Sequence, residues 1–346
     1  MTVTVNVVMG GPSAEHEVSL RSGLEVMNRI DTTAYHVRAV VVSRSKLFYF
    51  CDPDTPLELA ELARPASPRF EGPLAPAASQ KFWDGCDVAF LALHGSFGED
   101  GVIQGFLETL GVPYTGSGVY GSAVAMEKIT SKFLYLAEGM AVPPWSIYGT
   151  AYRDVSVESL ERKHGYPCFV KTPQSGSSRL MGRADDRPSL TALLEKLSRH
   201  APRLLVETAI KGIEFSCGVI EKAGGEITAL PPVEIRPKET AFFDFAAKYT
   251  AGKSEEIAPA PRPEPLLERV KETAIAAHRI LGCRGVSRTD MILADEKLYV
   301  LETNTLPGLT GNSLLPKEFI AAGGTYAGLI DAIINAALKR NAPAPA

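Results

Sequence analysis

The residues best placed to do chemistry lie in three consecutive segments. These are Arg288-Thr289-Asp290-Met291-Ile292-Leu293, Ala294-Asp295-Glu296-Lys297 and Leu298-Tyr299-Val300-Leu301-Glu302-Thr303-Asn304. Two apolar runs around a short polar turn predict a β-hairpin. With the turn centred near 295–296, residues whose numbers sum to about 591 or 592 face each other, which sets Asp290 level with Glu302. Asn304 shares Glu302's face, because side chains alternate along a strand. Two carboxylates and an amide oxygen on one edge suit magnesium, which takes one or two carboxylates and completes its shell with substrate phosphates. Spacing alone leaves a second reading open: three solvated side chains at a strand end.

A second segment, Thr172-Pro173-Gln174-Ser175-Gly176-Ser177-Ser178, follows a strand-like run ending in Lys171. Such a loop can wrap phosphates with its N–H groups while the lysine supplies a point charge. It lacks the Gly-Lys-Ser/Thr of a Walker loop, and on its own it reads equally well as a surface loop. The cysteines at 51, 86, 168, 217 and 283 form no Cys-x-x-Cys pair, and no histidines stand at zinc-ligand spacing. Buried reduced thiols are expected, and any metal should be hard and oxygen-bound.

The elements that must position these residues alternate through the first third of the chain. Residues 3–9 read as a strand, Gly10-Gly11-Pro12-Ser13 as a turn, and residues 17–30 as a helix with Leu20, Leu24, Met27 and Ile30 at helical period. Residues 37–42 and 88–93 are further apolar runs, and the Pro-rich residues 52–72 carry no periodicity and predict irregular surface structure. Strand–helix alternation implies a mostly parallel sheet with ligands beyond the strands' carboxyl ends. Gly-rich segments follow two of those ends: residues 10–17, and His94-Gly95-Ser96-Phe97-Gly98-Glu99-Asp100-Gly101. A small-residue helix with Met126-Glu127-Lys128 comes next, then strands at 168–171 and 204–207, and a closing apolar helix to about Leu338.

The 346 residues suggest about two domains. A 45% hydrophobic and 22% charged composition excludes a disordered chain, and a net charge of −4 excludes nucleic-acid binding by bulk charge. The longest apolar runs fall short of a membrane span, and no basic leader precedes residues 3–9, so a soluble cytoplasmic protein is expected.

Together these residues resemble the ATP-grasp superfamily, specifically the D-alanine–D-alanine ligases. The resemblance runs from Gly10 to about Leu338. It rests on Gly10-Gly11-Pro12-Ser13-Ala14-Glu15-His16-Glu17-Val18-Ser19, His94-Gly95 with Gly98-Glu99-Asp100-Gly101, and Pro113-Tyr114-Thr115-Gly116-Ser117. It continues through Lys248-Tyr249, Gly282-Cys283-Arg284-Gly285 with Arg288-Thr289-Asp290, and Leu301-Glu302-Thr303-Asn304-Thr305-Leu306-Pro307-Gly308.

The resemblance implies an α/β chain. A parallel N-terminal domain over residues 1–120 precedes a two-subdomain α+β ATP-grasp fold, small over 121–210 and large over 211–340, with a disordered tail at 341–346. It implies joining of two D-alanines through an acylphosphate for peptidoglycan precursors, by a homodimer using ATP and magnesium (two ions, with manganese an alternative). By position, Asp290, Glu302 and Asn304 match the metal ligands. Lys128 and Lys171 match phosphate-contacting lysines, with Lys248 closing from a flexible loop. Glu207-Thr208-Ala209-Ile210 matches the adenine hinge, Glu214 the ribose carboxylate, and Phe242 and Leu301 apolar contacts to the base. Glu15 matches the residue holding the first substrate's ammonium, with Val18 and His94 beside it. Arg288 and the Gly308 N–H match oxyanion stabilisers, Ser313 and Leu314 the second substrate's carboxylate site, and Ser177 and Tyr249 hydroxyls that close a loop over the site.

Ser175, Arg179, Leu180 and Ala246 depart from the family pattern, which has an acid, Val-Gly and an acid at those places. The departures bear on lid closure, with residues 238–256 expected to be open without nucleotide, and on the second substrate. A sister ligase using D-serine, or a nucleotide-binding protein without turnover, are the alternatives; Tyr249 argues against a D-lactate enzyme.

Overall fold

A computed structural model describes residues 2–151, 155–174, 180–222, 224–237 and 254–340. The N-terminal sheet is built on β1 (Val3–Gly10), which pairs in parallel with β2 (Tyr35–Val42) and β5 (Val88–Leu91). β1 is buried on both faces from Val5 onward because both are covered, and the one buried polar side chain there, Asn6, donates to the Phe82 carbonyl. Val5, Val7 and Met9 pack under α1 (His16–Arg29), whereas Val8 faces the opposite layer with Val40, Val42 and Phe82. The α1 boundaries lie within one residue of the sequence expectation.

Residues 52–72 are largely irregular as expected, apart from one short helix and the start of a strand. β3 (Phe48–Cys51) and β4 (Glu71–Leu74) extend the sheet antiparallel beyond β2, with α2 (Leu59–Ala63) between them. A capping box of Glu58 and Glu61 holds this single-turn helix, so a helical period never develops. α3 (Val102–Leu110) completes the N-terminal layer.

Beyond it come α4 (Val119–Met126) and α5 (Lys128–Ala137), then a sheet of antiparallel pairs. β6 (Trp145–Gly149), β9 (Arg203–Thr208), β7 (Cys168–Lys171) and β8 (Met181–Ala184) lie in that order, backed by α6 (Val157–His164) and α7 (Arg187–Ser198). A larger antiparallel sheet orders β13 (Ser254–Ile257), β12 (Val233–Pro237), β10 (Ile213–Glu221), β14 (Val286–Ala294) and β15 (Lys297–Asn304), with β11 (Ile227–Ala229) on β10. α8 (Glu264–Ile280) covers it with Val270, Ala274 and Ala277. α9 (Leu314–Ala321) and α10 (Tyr326–Arg340) close the chain, α10 packing back onto the core beneath β1. The five cysteines are free thiols. Among the described residues no single helix is long and apolar enough to cross a membrane.

His278 on α8 is buried against β14, where Nδ1 meets Ser287 Oγ at 2.8 Å and Nε2 has no partner among the described residues. Burial holds its pKa down to about 4, against a partial upward pull from Glu221. Above about pH 6.5 both folded and unfolded imidazoles are neutral; below it the unfolded chain takes the proton first, so stability falls as pH drops toward 4. The penalty should reach about 2 kcal/mol by pH 5. Urea unfolding at pH 7 and pH 5 should show His278→Gln losing less stability than wild type by about that amount; parallel losses would remove His278 as the cause.

Candidate active site

The β14–β15 turn puts Asp295 and Glu296 at φ of 47° and 60°, the left-handed conformation of a two-residue hairpin. Arg288 pairs with Asn304 and Asp290 with Glu302; the register then slips so that Met291 faces Val300, leaving Leu301 as a bulge. Arg288, Asp290, Glu302 and Asn304 therefore share one face, as expected from the numbering. Ser216, opposite Asp290 on β10, donates to Asp290 Oδ1 at 2.7 Å. Glu214, two residues along, shares that face. Arg288 grips both Asp290 oxygens, Nε to Oδ1 at 3.1 Å and Nη2 to Oδ2 at 3.2 Å. Asn304 Nδ2 lies 3.5 Å from Oδ2, and Glu302 Oε2 pairs with Lys128 Nζ at 3.1 Å.

This donor set fits a magnesium ion that also takes phosphate oxygens. It offers hard oxygen donors but no protein cage, and among the described residues no group of three His, Cys, Asp or Glu is placed to hold a metal.

Across the cleft, Lys171 ends β7 and reaches Glu207 of β9, Nζ to Oε2 at 2.6 Å. Glu207's other oxygen meets Lys132, a buried lysine one turn after Lys128 on α5. Burial alone would raise the Glu207 carboxyl, but the two lysines hold it at about 2. The carboxylate of Glu207, a residue expected in an adenine hinge, thus lies inside and is paired with two lysines. Thr208, the next residue, is fixed by His164 Nδ1 at 3.1 Å, and Nε2 of that ring meets Ser146 at 2.9 Å. Burial keeps His164 down to about 4, hence neutral near pH 7. Lys132 and His164 were not among the sequence-derived site residues; Lys132's one signal was its i+4 spacing from Lys128.

Gly10 turns the chain out of β1 at φ +90°, where a Cβ would stand 2.3 Å from the Val42 carbonyl. Its N–H is held by Ser19 Oγ at 2.8 Å, which sets Glu15 at the start of α1 with Val18 one turn on. Glu15 is buried; Gly95 approaches so closely that a Cβ there would lie 2.8 Å from Glu15 Oε2. His94 touches Ser22 Oγ at 2.9 Å and the Leu306 carbonyl at 3.2 Å; burial lowers its pKa, and nearby Glu15 works against that. Glu99 receives the N–H groups of Gly95 at 2.7 Å and Leu306 at 3.2 Å, tying the residue 305–308 loop to the N-terminal unit. Its burial, with Glu15 nearby, raises the carboxyl to about 8.

Gly308 lies against Ser313, whose Oγ accepts from Thr310 N–H at 3.0 Å. Leu314 begins α9, and its side chain packs on Val233 and Ile235. A cavity of 670 Å³ runs from Ser13 and Glu15 to Thr172, Gln174 and Leu180. Ser177, Phe242, Lys248 and Tyr249 lie outside the described residues, as do Ser175, Arg179 and Ala246.

Residues 4–117 match the family described as D-ala D-ala ligase N-terminus, and residues 134–335 match its C-terminus counterpart. The chain belongs to the D-alanine–D-alanine ligase family. It is 40% identical to a D-alanine–D-alanine ligase of Leptospira biflexa, covering 93% of this chain and 95% of that one. A relative of the same name from Syntrophobacter fumaroxidans is also 40% identical, over 97% and 98%. Among solved structures, VanG D-Ala:D-Ser ligase from Enterococcus faecalis superposes with a TM-score of 0.84 at 27% identity, covering 96% of this chain and 99% of that one. The Bacillus anthracis D-alanine–D-alanine ligase complexed with ATP gives 0.75 at 31% identity, over 98% and 99%. The family's ATP-grasp architecture accounts for the two antiparallel sheets following a parallel α/β unit.

Proposed function

We propose that the protein joins two D-alanines at the expense of ATP, in the cytoplasm and as a homodimer, for peptidoglycan precursor synthesis. The observation that carries this reading is the meeting of three charge sets around one cleft: Glu15 beside Gly95, Arg288 clamped on Asp290, and Lys128 and Lys171 on the nucleotide side. In the reaction the first D-alanine's carboxylate oxygen bonds to the terminal phosphorus as the bond to ADP breaks. The second D-alanine's amine then attacks the acylphosphate carbon and phosphate leaves.

Glu15 fits the first substrate's ammonium and fixes where its carboxylate points. Asp290, Glu302 and Asn304 would hold magnesium, which when bound offsets the charge of the reacting phosphate. Lys128 and Lys171 bring cations to the phosphate chain. Arg288 and the Gly308 N–H would receive charge on the tetrahedral carbon's oxygen. The Thr208–Ile210 backbone, Glu214 and Leu301 would hold the nucleoside, joined by Phe242. Lys248, Tyr249 and Ser177 would close the site and keep water from the acylphosphate. The boundaries near residues 120 and 210 belong to the same reading.

ADP release tests it. D-Alanine alone, filling both substrate positions, should support turnover and give the dipeptide. ADP release only after D-serine or D-lactate is added would make this a sister ligase, and none with any of them a nucleotide-binding protein.

A further inference from the structure

Lys132 has no role in the reaction as described, yet its side chain is 1% exposed and, among the described residues, its ion-pair partner is the buried carboxylate of Glu207. We propose that Lys132 is a positioning residue that holds Glu207 neutralised, so that Lys171 can leave Glu207 and move onto the nucleotide's phosphates. The inference rests on the ATP reading above.

Glu207, 3% exposed, splits its oxygens between two lysines: Oε2 to Lys171 at 2.6 Å and Oε1 to Lys132. The lysines differ in what they can reach. Lys171 is 16% exposed at the end of β7, at the mouth of the residue 172–174 turn, whereas Lys132 is sealed inside. Only Lys171 can turn toward a ligand. If it were Glu207's sole partner, its departure would strand a buried carboxylate, and the cost of an unpaired buried charge exceeds what one lysine–phosphate contact returns. With Lys132 in place the carboxylate keeps a counter-ion throughout.

Repulsion works in the same direction. Lys132 and Lys171 are two cations on one anion, and each ammonium disfavours the other. Burial pushes the Lys132 ammonium below its usual range and Glu207 pulls it back; Lys171, nearer solvent, is pulled above its usual range by Glu207 despite burial. Moving Lys171 onto a phosphate separates the two ammonium groups and so relieves their repulsion. Lys132 Nζ meets Glu207 Oε1, and no loop carbonyl or helix end among the described residues is its acceptor, so it does not serve to pin a loop or cap a helix. Charge is what it contributes.

ATP affinity in the presence of magnesium and without D-alanine, measured by calorimetry, tests this with Lys132→Met, Lys132→Arg and the double variant Lys132→Met/Glu207→Gln. Lys132→Met should weaken ATP binding about tenfold or more, because Lys171 stays locked on Glu207. Lys132→Arg should stay within about threefold of wild type. The double variant should recover most of the loss, since without the carboxylate's charge Lys171 is released. A purely structural Lys132 would make the double variant as weak as the single or weaker, and that result overturns the proposal. Should Lys132→Met fail to fold, the other two variants decide: both must bind ATP near wild-type strength, and weak binding by the folded double variant overturns it. Wild-type protein that binds no ATP would refute the functional reading, and this inference with it.

Discussion

Asp290→Asn or Glu302→Gln should lower kcat by about 10³-fold or more, the size of several kcal/mol of lost transition-state stabilisation, with the fold intact. The two carboxylates are direct cross-strand partners, so they act at one level of the sheet. Each is balanced by a cation in the unliganded site: Asp290 by Arg288 and Glu302 by Lys128. Removing either negative charge weakens the pull on magnesium and unbalances its cation. Asparagine at 290 keeps the shape and an oxygen for Ser216 Oγ, so unfolding is not expected. The two variants should differ in one respect. Asp290→Asn also loosens the Arg288 clamp, whereas Glu302→Gln leaves it; excess magnesium should therefore restore more of the lost activity in Glu302→Gln. Rates at limiting and excess magnesium, alongside thermal unfolding, check both points. Near-normal turnover of either variant at limiting magnesium would remove these residues as ligands.

The metal edge was legible because a turn near 295–296 brings Asp290 to the level of residues 301–302; the bulge at Leu301, which numbering alone does not show, then sets Glu302 opposite it with Asn304 on the same face. The N-terminal parallel sheet was legible from apolar runs alternating with a segment of helical period. What failed to show were contacts between elements. Nothing in Val206-Glu207-Thr208 tells that the carboxylate turns inward, because the lysines that neutralise it come from β7 and α5. The packing of the Leu314 side chain on Val233 and Ile235 is another such contact. The β4 strand, Glu-Gly-Pro-Leu, lacks alternation because it lies at an edge, with three residues exposed.

These inter-element contacts also explain why Arg288 can be tested apart from the nucleotide site. Its charge is felt by His94 and Glu99 in the N-terminal unit and by Glu318 on α9, which sets it where these elements converge. Arg288→Lys should lower kcat about 10²-fold while leaving the KM for ATP within about threefold. The sign of the charge is kept, so loss of activity reports geometry. Two guanidinium nitrogens now fix the side chain on both Asp290 oxygens; a lysine ammonium offers one point of attachment on a flexible stem. Its remaining N–H groups would then no longer be aimed at the oxygen on which charge develops. On the proposed reading Lys128, Lys171 and the Thr208–Ile210 backbone hold ATP, so it should bind as before. Steady-state kinetics with ATP and D-alanine varied separately make the distinction: a large rise in the KM for ATP with kcat preserved would assign Arg288 to the nucleotide rather than to the tetrahedral centre.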